Sequence, residues 1–146
     1  MANLIVKLDV SGMDFSGKDL SGAYLNGVKA DGTNFAGANL SGANLVQGEL
    51  NGANFEGCTL EKTLLMYTEL KNANFTSANL KSANFMWANA TGANFTGCTM
   101  SATIMVEAIL SNAKFTGESH GAFLKYARLE GTAWASAATP EPAAPH

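Results

Sequence analysis

The sequence predicts an all-β solenoid of square cross-section, a quadrilateral parallel β-helix, and three observations carry that prediction. Every fifth residue from Phe15 to Phe115 is apolar; of these 21 positions, 19 are Leu, Phe or Met and two are Ala. Every twentieth is phenylalanine, giving the unbroken series Phe15, Phe35, Phe55, Phe75, Phe95 and Phe115. Small residues hold fixed places around each apolar centre, with glycine two positions after it in many repeats (Gly17, Gly22, Gly37, Gly52, Gly97) and Ala, Cys or Thr two positions before (Ala38, Cys58, Thr63, Ala83).

Each observation has a structural meaning. A plain strand alternates with period two, so an odd period of five would flip the apolar residue in and out unless a turn reset the phase in every repeat. The glycines supply that turn, because they adopt tight-turn geometry at little steric cost. Alternation then brings the small residue to the same side as the centre, so large and small residues line a narrow core together. If like residues stack, one coil is four repeats. The four faces are centred on the phenylalanines, on Leu20/40/60/80 and Met100, on Leu25/45/65, Phe85 and Met105, and on Ala30, Leu50, Leu70, Ala90 and Leu110. About six coils at roughly 4.8 Å each make a rod on the order of 29 Å long, with near-additive, nearest-neighbour stability.

In chain order, residues 1–12 are expected to cap the first coil and residues 13–136 to form the β-helix. The period slips by one residue at 118–121, after which Leu124, Leu129 and Trp134 continue it and Trp134 is expected to land on the phenylalanine ladder. The Ala/Pro-rich stretch 137–146 reads as a disordered tail. At Val28 and Ala30 the small-then-large order is reversed, which keeps the inward volume roughly constant.

The motif A-[ND]-[LF]-x-x, at Ala38–Gly42 and again at Ala43, Ala53, Ala73, Ala78, Ala83 and Ala93, resembles the pentapeptide-repeat family. The resemblance implies that the β-helix is right-handed. It also brings two functional expectations, since the well-understood quinolone-resistance members bind DNA gyrase as dimeric, DNA-shaped rods, whereas the repeats of the family are not typically catalytic.

Composition excludes much else. The chain has 146 residues and a net charge of −3, and only 14% of residues are charged. There is no basic cluster to grip nucleic acid and no apolar run long enough for a membrane span. The N-terminus lacks the features of a signal peptide, so a soluble, cytoplasmic protein is the expectation. No cofactor or metal spacing stands out. His120 sits at the register slip and His146 ends the chain, neither with a partner in sight. Cys58 and Cys98 occupy inward small slots two coils apart, roughly 9.6 Å on the coil spacing and beyond the ~7 Å reach of a disulfide, so both are expected as buried free thiols. The asparagines before the centres, such as Asn34, Asn54, Asn74 and Asn94, point outward, to form amide ladders or to bond the turn backbone.

One surface breaks the polar pattern. On the third face the outward residues include Tyr24, Val46, Leu64, Met66, Tyr67, Met86, Trp87, Ile104, Val106, Phe123 and Tyr126, whereas the other faces are polar apart from Ile109. An apolar stripe along the rod marks an interface. The leading expectation is a non-catalytic interaction module that contacts a protein partner through this face, most simply a second copy of itself side by side; the family resemblance also implies a second mode, end-to-end contact through the closing coil around Trp134. The alternative is a DNA-mimicking binder of gyrase, which would need densely packed acids in place of phosphates. Here Asp14, Asp19, Asp31, Glu49, Glu56, Glu61 and Glu69 are dispersed among lysines.

Overall fold

The structure is a computed structural model and describes residues 7–117 and 121–135. The tail at 137–146, most of the slip at 118–121 and the first six residues of the expected cap lie outside the described residues.

Each repeat closes a β-turn. The carbonyl of Leu20 accepts from the amide of Ala23 at 3.0 Å, with Gly22 at φ 68° as the third turn residue. A positive φ at that position alone is the type II geometry. Coils then pair in parallel. Around Phe35, the Asn34 amide donates to the Met13 carbonyl of the coil below, while Phe35 and Gly37 donate to Asn54 and Glu56 of the coil above, at 2.7–2.9 Å. Three bonds per five residues satisfy backbone groups that would otherwise be orphaned in a narrow rod.

The bridges are offset by 20 residues from Asp9↔Lys29 to Asn94↔Lys114, and by 19 at Ile104↔Phe123 and Ile109↔Arg128. The last coil is one residue shorter, and parallel pairing is in place at both of these bridges. Repeat pairing also starts earlier than residue 13: Val10 donates to Lys29, Lys29 donates to Leu8, and Gly12 turns with φ 73°. Part of the segment expected as a cap is therefore itself a repeat.

The core is the stack of centres and small residues. Phe55, Phe75 and Phe95 stack with centroids 4.8–4.9 Å apart and planes within 2°, and the series extends to Phe15, Phe35 and Phe115. Trp134 closes it, 3.7 Å from Phe115, and its Nε1 donates to the Gly117 carbonyl at 2.8 Å. The coil spacing, roughly 4.8 Å, sets the distance between successive ring centroids, and the shared backbone geometry keeps their planes parallel. Phe85, the one phenylalanine among the inward centres of the third face, reaches across to meet Phe75 and Phe95 edge-on. Its extra bulk sits in the same coil as Ala88 and Ala90, both fully buried, where the usual large centre is missing.

Polar heads in the inward slots are satisfied locally. Thr63 and Thr103 hydroxyls donate to the Leu40 and Leu80 carbonyls at 2.7 Å, and the thiols of Cys58 and Cys98 donate to those of Phe35 and Phe75 at 2.9 Å. Burial pushes both thiols up to about 12, so neither carries thiolate near neutrality.

Outside, the asparagines do both expected things. The Oδ1 of Asn54 accepts from the Glu56 amide, and its Nδ2 donates down to Asn34, which donates to Asp14; Asn74 donates to Asn54 in turn. In the first coil the same site is held by carboxylates. Asp9 accepts from the Ser11 amide, Asp14 from Ser16, and Asp19 from both the amide and hydroxyl of Ser21. These serine bonds, backbone first at Asp9 and side-chain first at Asp14 and Asp19, hold all three acids below the ordinary carboxylate value. A lowered folded pKa contributes stability that is present above the unfolded value, near 3.9, and is lost as pH falls through the folded one. Acidification below about pH 4 should therefore loosen the first coil while the asparagine-bearing middle coils stay protected. The triple variant Asp9→Asn, Asp14→Asn, Asp19→Asn should remove that difference. Amide exchange at acid and neutral pH checks it, and equal acid loosening in middle and first coils would contradict it.

Candidate functional site

The third face presents two outward columns and a corner. The column before the centres runs Tyr24, Asn44, Leu64, Asn84, Ile104, Phe123, joined bridge to bridge. The column after them holds Val46, Met66, Met86 and Val106, and the corner that follows carries Gln47, Tyr67, Trp87, Glu107 and Tyr126. The structure thus brings the sequence-predicted residues onto one side of the rod. Val46, Leu64, Met66, Met86, Ile104 and Val106 are half-buried and form a floor. The rings stand free of it, with exposures of 77% for Tyr24, 60% for Tyr126, 54% for Phe123, 53% for Tyr67 and 44% for Trp87. Tyr67 and Trp87 stack on each other, centroids 4.8 Å apart and planes within 15°. The Lys125 ammonium lies 5.2 Å from the Tyr126 ring centroid.

The corner is strained. Tyr67, Trp87 and Tyr126 hold φ of 58°, 62° and 62°, a region that costs an L-residue roughly 1–2 kcal/mol and is an outlier for bulky side chains. At other corners the place belongs mostly to Gly or to small residues such as Ser77, Ser82 and Ala102. The rungs stretch at the same two places. Tyr67 and Trp87 amides reach the Met86 and Val106 carbonyls at 3.3 and 3.4 Å, against 2.8 Å at Ser77 and 3.0 Å at Lys62. Backbone strain of this kind collects at functional sites.

Sequence reasoning placed these residues but missed their backbone conformation. The available signal was a large side chain standing where the repeat elsewhere puts glycine. It also missed the exposed Leu8 and Met13, which occupy inward slots of the first coil, where the core has no coil beneath it among the described residues.

Little else on the described surface suggests chemistry. Among the described residues no group of three or more His, Cys, Asp or Glu could hold a metal ion, and no helix is long and apolar enough to cross a membrane. His120 and His146 lie outside the described residues.

The family model for pentapeptide repeats matches residues 19–57, 49–82 and 83–117, with eight copies. The chain belongs to the pentapeptide-repeat family. Its fold is accordingly the right-handed quadrilateral β-helix of that family, whose members are generally structural or binding modules. A pentapeptide-repeat protein of the Arabidopsis thaliana thylakoid lumen is similar over 62% of this chain and 67% of its own, at 29% identity and a TM-score of 0.54. The plasmid-mediated fluoroquinolone resistance protein QnrB1 is similar over 86% of this chain and 69% of its own, at 18% identity and a TM-score of 0.57. That second likeness is one of fold. No curated protein sequence matches the chain.

Proposed function

We propose that this pentapeptide-repeat protein is a non-catalytic interaction module that associates with a second copy of itself through the third face. The carrying observation is the row of exposed rings on that face, two of them stacked on a strained corner. Isolated exposed apolar residues need no explanation, whereas five exposed rings gathered with an aliphatic floor on one face of four do. Its size favours a partner of equal length. Five aromatic side chains at 150–250 Å² each, about half exposed, amount to on the order of 500 Å². The aliphatic floor adds to that, toward the ~800 Å² that each side of a stable dimer buries. The apolar residues of the face extend from Tyr24 in the first coil to Phe123 in the last, with Asn44 and Asn84 between them, and a second rod matches that span.

Mimicry of duplex DNA toward gyrase is the competing reading. It needs unpaired acids in dense rows, but on the fourth face Asp31 and Glu49 lie 3.9 and 3.7 Å from the Lys29 ammonium, and Glu49 also pairs with Lys7.

Light scattering tests self-association. Wild type should scatter as a dimer at micromolar concentration, and the variant Leu64→Ser, Tyr67→Ser, Trp87→Ser as a monomer of unchanged fold. A wild type that stays monomeric at high micromolar concentration would overturn the reading.

A further inference from the structure

We propose that the two copies pack as parallel, in-register rods, the aromatic corner of each seated on the small-residue corner of the other; this rests on the self-association reading above. The third face lies between two unlike edges. The corner before it carries Gly22, Gly42, Lys62, Ser82, Ala102 and Gly121, and the corner after it carries Gly27, Gln47, Tyr67, Trp87, Glu107 and Tyr126. One edge is low and the other is raised.

Symmetry leaves two ways to bring such faces together. A closed pair uses the same patch on both copies, related by a two-fold axis lying in the plane between them. If the axis runs along the rods, it exchanges the two edges and keeps each coil at its own height. If it runs across the rods, it keeps the edges and inverts the heights. Only the first arrangement sets raised against low.

Residue heights make the fit specific. In the parallel pair, Tyr67 and Trp87 face Lys62 and Ser82 of the other copy. The Lys62 side chain is exposed, and an ammonium over an aromatic face is attracted by the ring. By the same exchange, Tyr24 in the first coil faces Asn26 of the other copy. In the last coil Tyr126 faces Gly121 and Phe123 faces Lys125, a second ammonium brought to a ring. In the inverted arrangement Tyr67 meets Trp87 along one edge, while Lys62 meets Ser82 and Gly42 meets Ala102 along the other. The rods would then splay, leaving the aliphatic floor of Met66, Met86 and Val106 wet.

Strain at the corner fits the same picture. The left-handed backbone at Tyr67 and Trp87 carries the rings on the raised edge, where a partner's low edge can receive them.

Cross-linking decides between the two arrangements. Asn26 and Lys125 are exposed, lie in one column of the third face, and sit at its two ends, roughly 24 Å apart at about 4.8 Å per coil. Asn26→Cys and Lys125→Cys are each treated with a short bismaleimide, with wild type, whose native thiols donate inward, as the control. Each single variant alone should convert mostly to covalent dimer. If neither does so alone but an equal mixture of the two cross-links, the rods are inverted and the proposal is wrong. If scattering shows a dimer yet neither the single variants nor the mixture cross-links, self-association stands but the parallel pairing of this face falls. A monomer by scattering overturns the underlying reading itself.

Discussion

Phe75→Ala is expected to destabilise the protein by about 3–5 kcal/mol, the range for deleting a fully buried aromatic ring. Phe75 is central in every sense that matters for this loss. It stacks on Phe55 and Phe95 at 4.8 and 4.9 Å and takes Phe85 edge-on at 5.5 Å. Each such pair contributes about 0.5–1.5 kcal/mol beyond area. The cavity cannot collapse, because the backbone on both sides is held by coil-to-coil bonds: Phe75 donates to Asn94, and Asn74 donates to Ala53. In a chain of nearest-neighbour contacts, a broken rung in the middle weakens the coupling between the two halves. The loss is a large share of the 5–15 kcal/mol typical of a folded domain. Denaturant titration followed by circular dichroism checks it, and a loss under about 1 kcal/mol would mean that the ladder is not the core.

Trp134→Ala deletes an equally large ring and is expected to act differently. Trp134 covers Phe115 from one side only, with its indole bonded to the Gly117 carbonyl. The full cost of about 3–5 kcal/mol falls on the closing coil, which can detach without disturbing the coils beneath. The expected result is loss of amide protection at residues 122–135 and around Phe115, with protection near Phe55 and Phe75 retained. Hydrogen exchange resolved by segment reads this directly. Uniform loss along the rod would show that Trp134 is required for the whole fold.

Much of this architecture is legible from period alone, because a turn repeated every five residues leaves few other solutions. The inward columns, the stacking of Phe35 on Phe55 and the place of Trp134 all follow from counting. Three things do not. Val10 and Leu8 belong to the repeat, but a β-branched Val10 stands where most later repeats put Leu, Phe or Met, and Leu8 where most put a small residue, so the series has no sharp beginning. The edge-on contacts of Phe85 depend on which neighbours are alanine. The left-handed backbone at Tyr67 and Trp87 is set collectively: the bonds above and below hold the corner in one shape, and whatever residue stands there must adopt it. Local preference would not have put a tryptophan at φ 62°. The candidate face was therefore visible as composition, while the backbone shape of its aromatic corner, on which the proposed pairing turns, became visible only in three dimensions.

The amide ladder on the first face has a direction. Asn74 donates to Asn54, Asn54 to Asn34, and Asn34 to Asp14. Every amide can both give and receive, so such a row has no natural length, and a twenty-residue duplication could be inserted anywhere along it without changing one bond. A carboxylate only receives. Asp14 is thus a stop, the point where the row ends in a group with nothing further to offer. At the far end the stop is steric, a tryptophan laid over the last phenylalanine. The repeat carries no length of its own, and Asp14 and Trp134 are the two places where the amide row and the ring stack give way to a different residue.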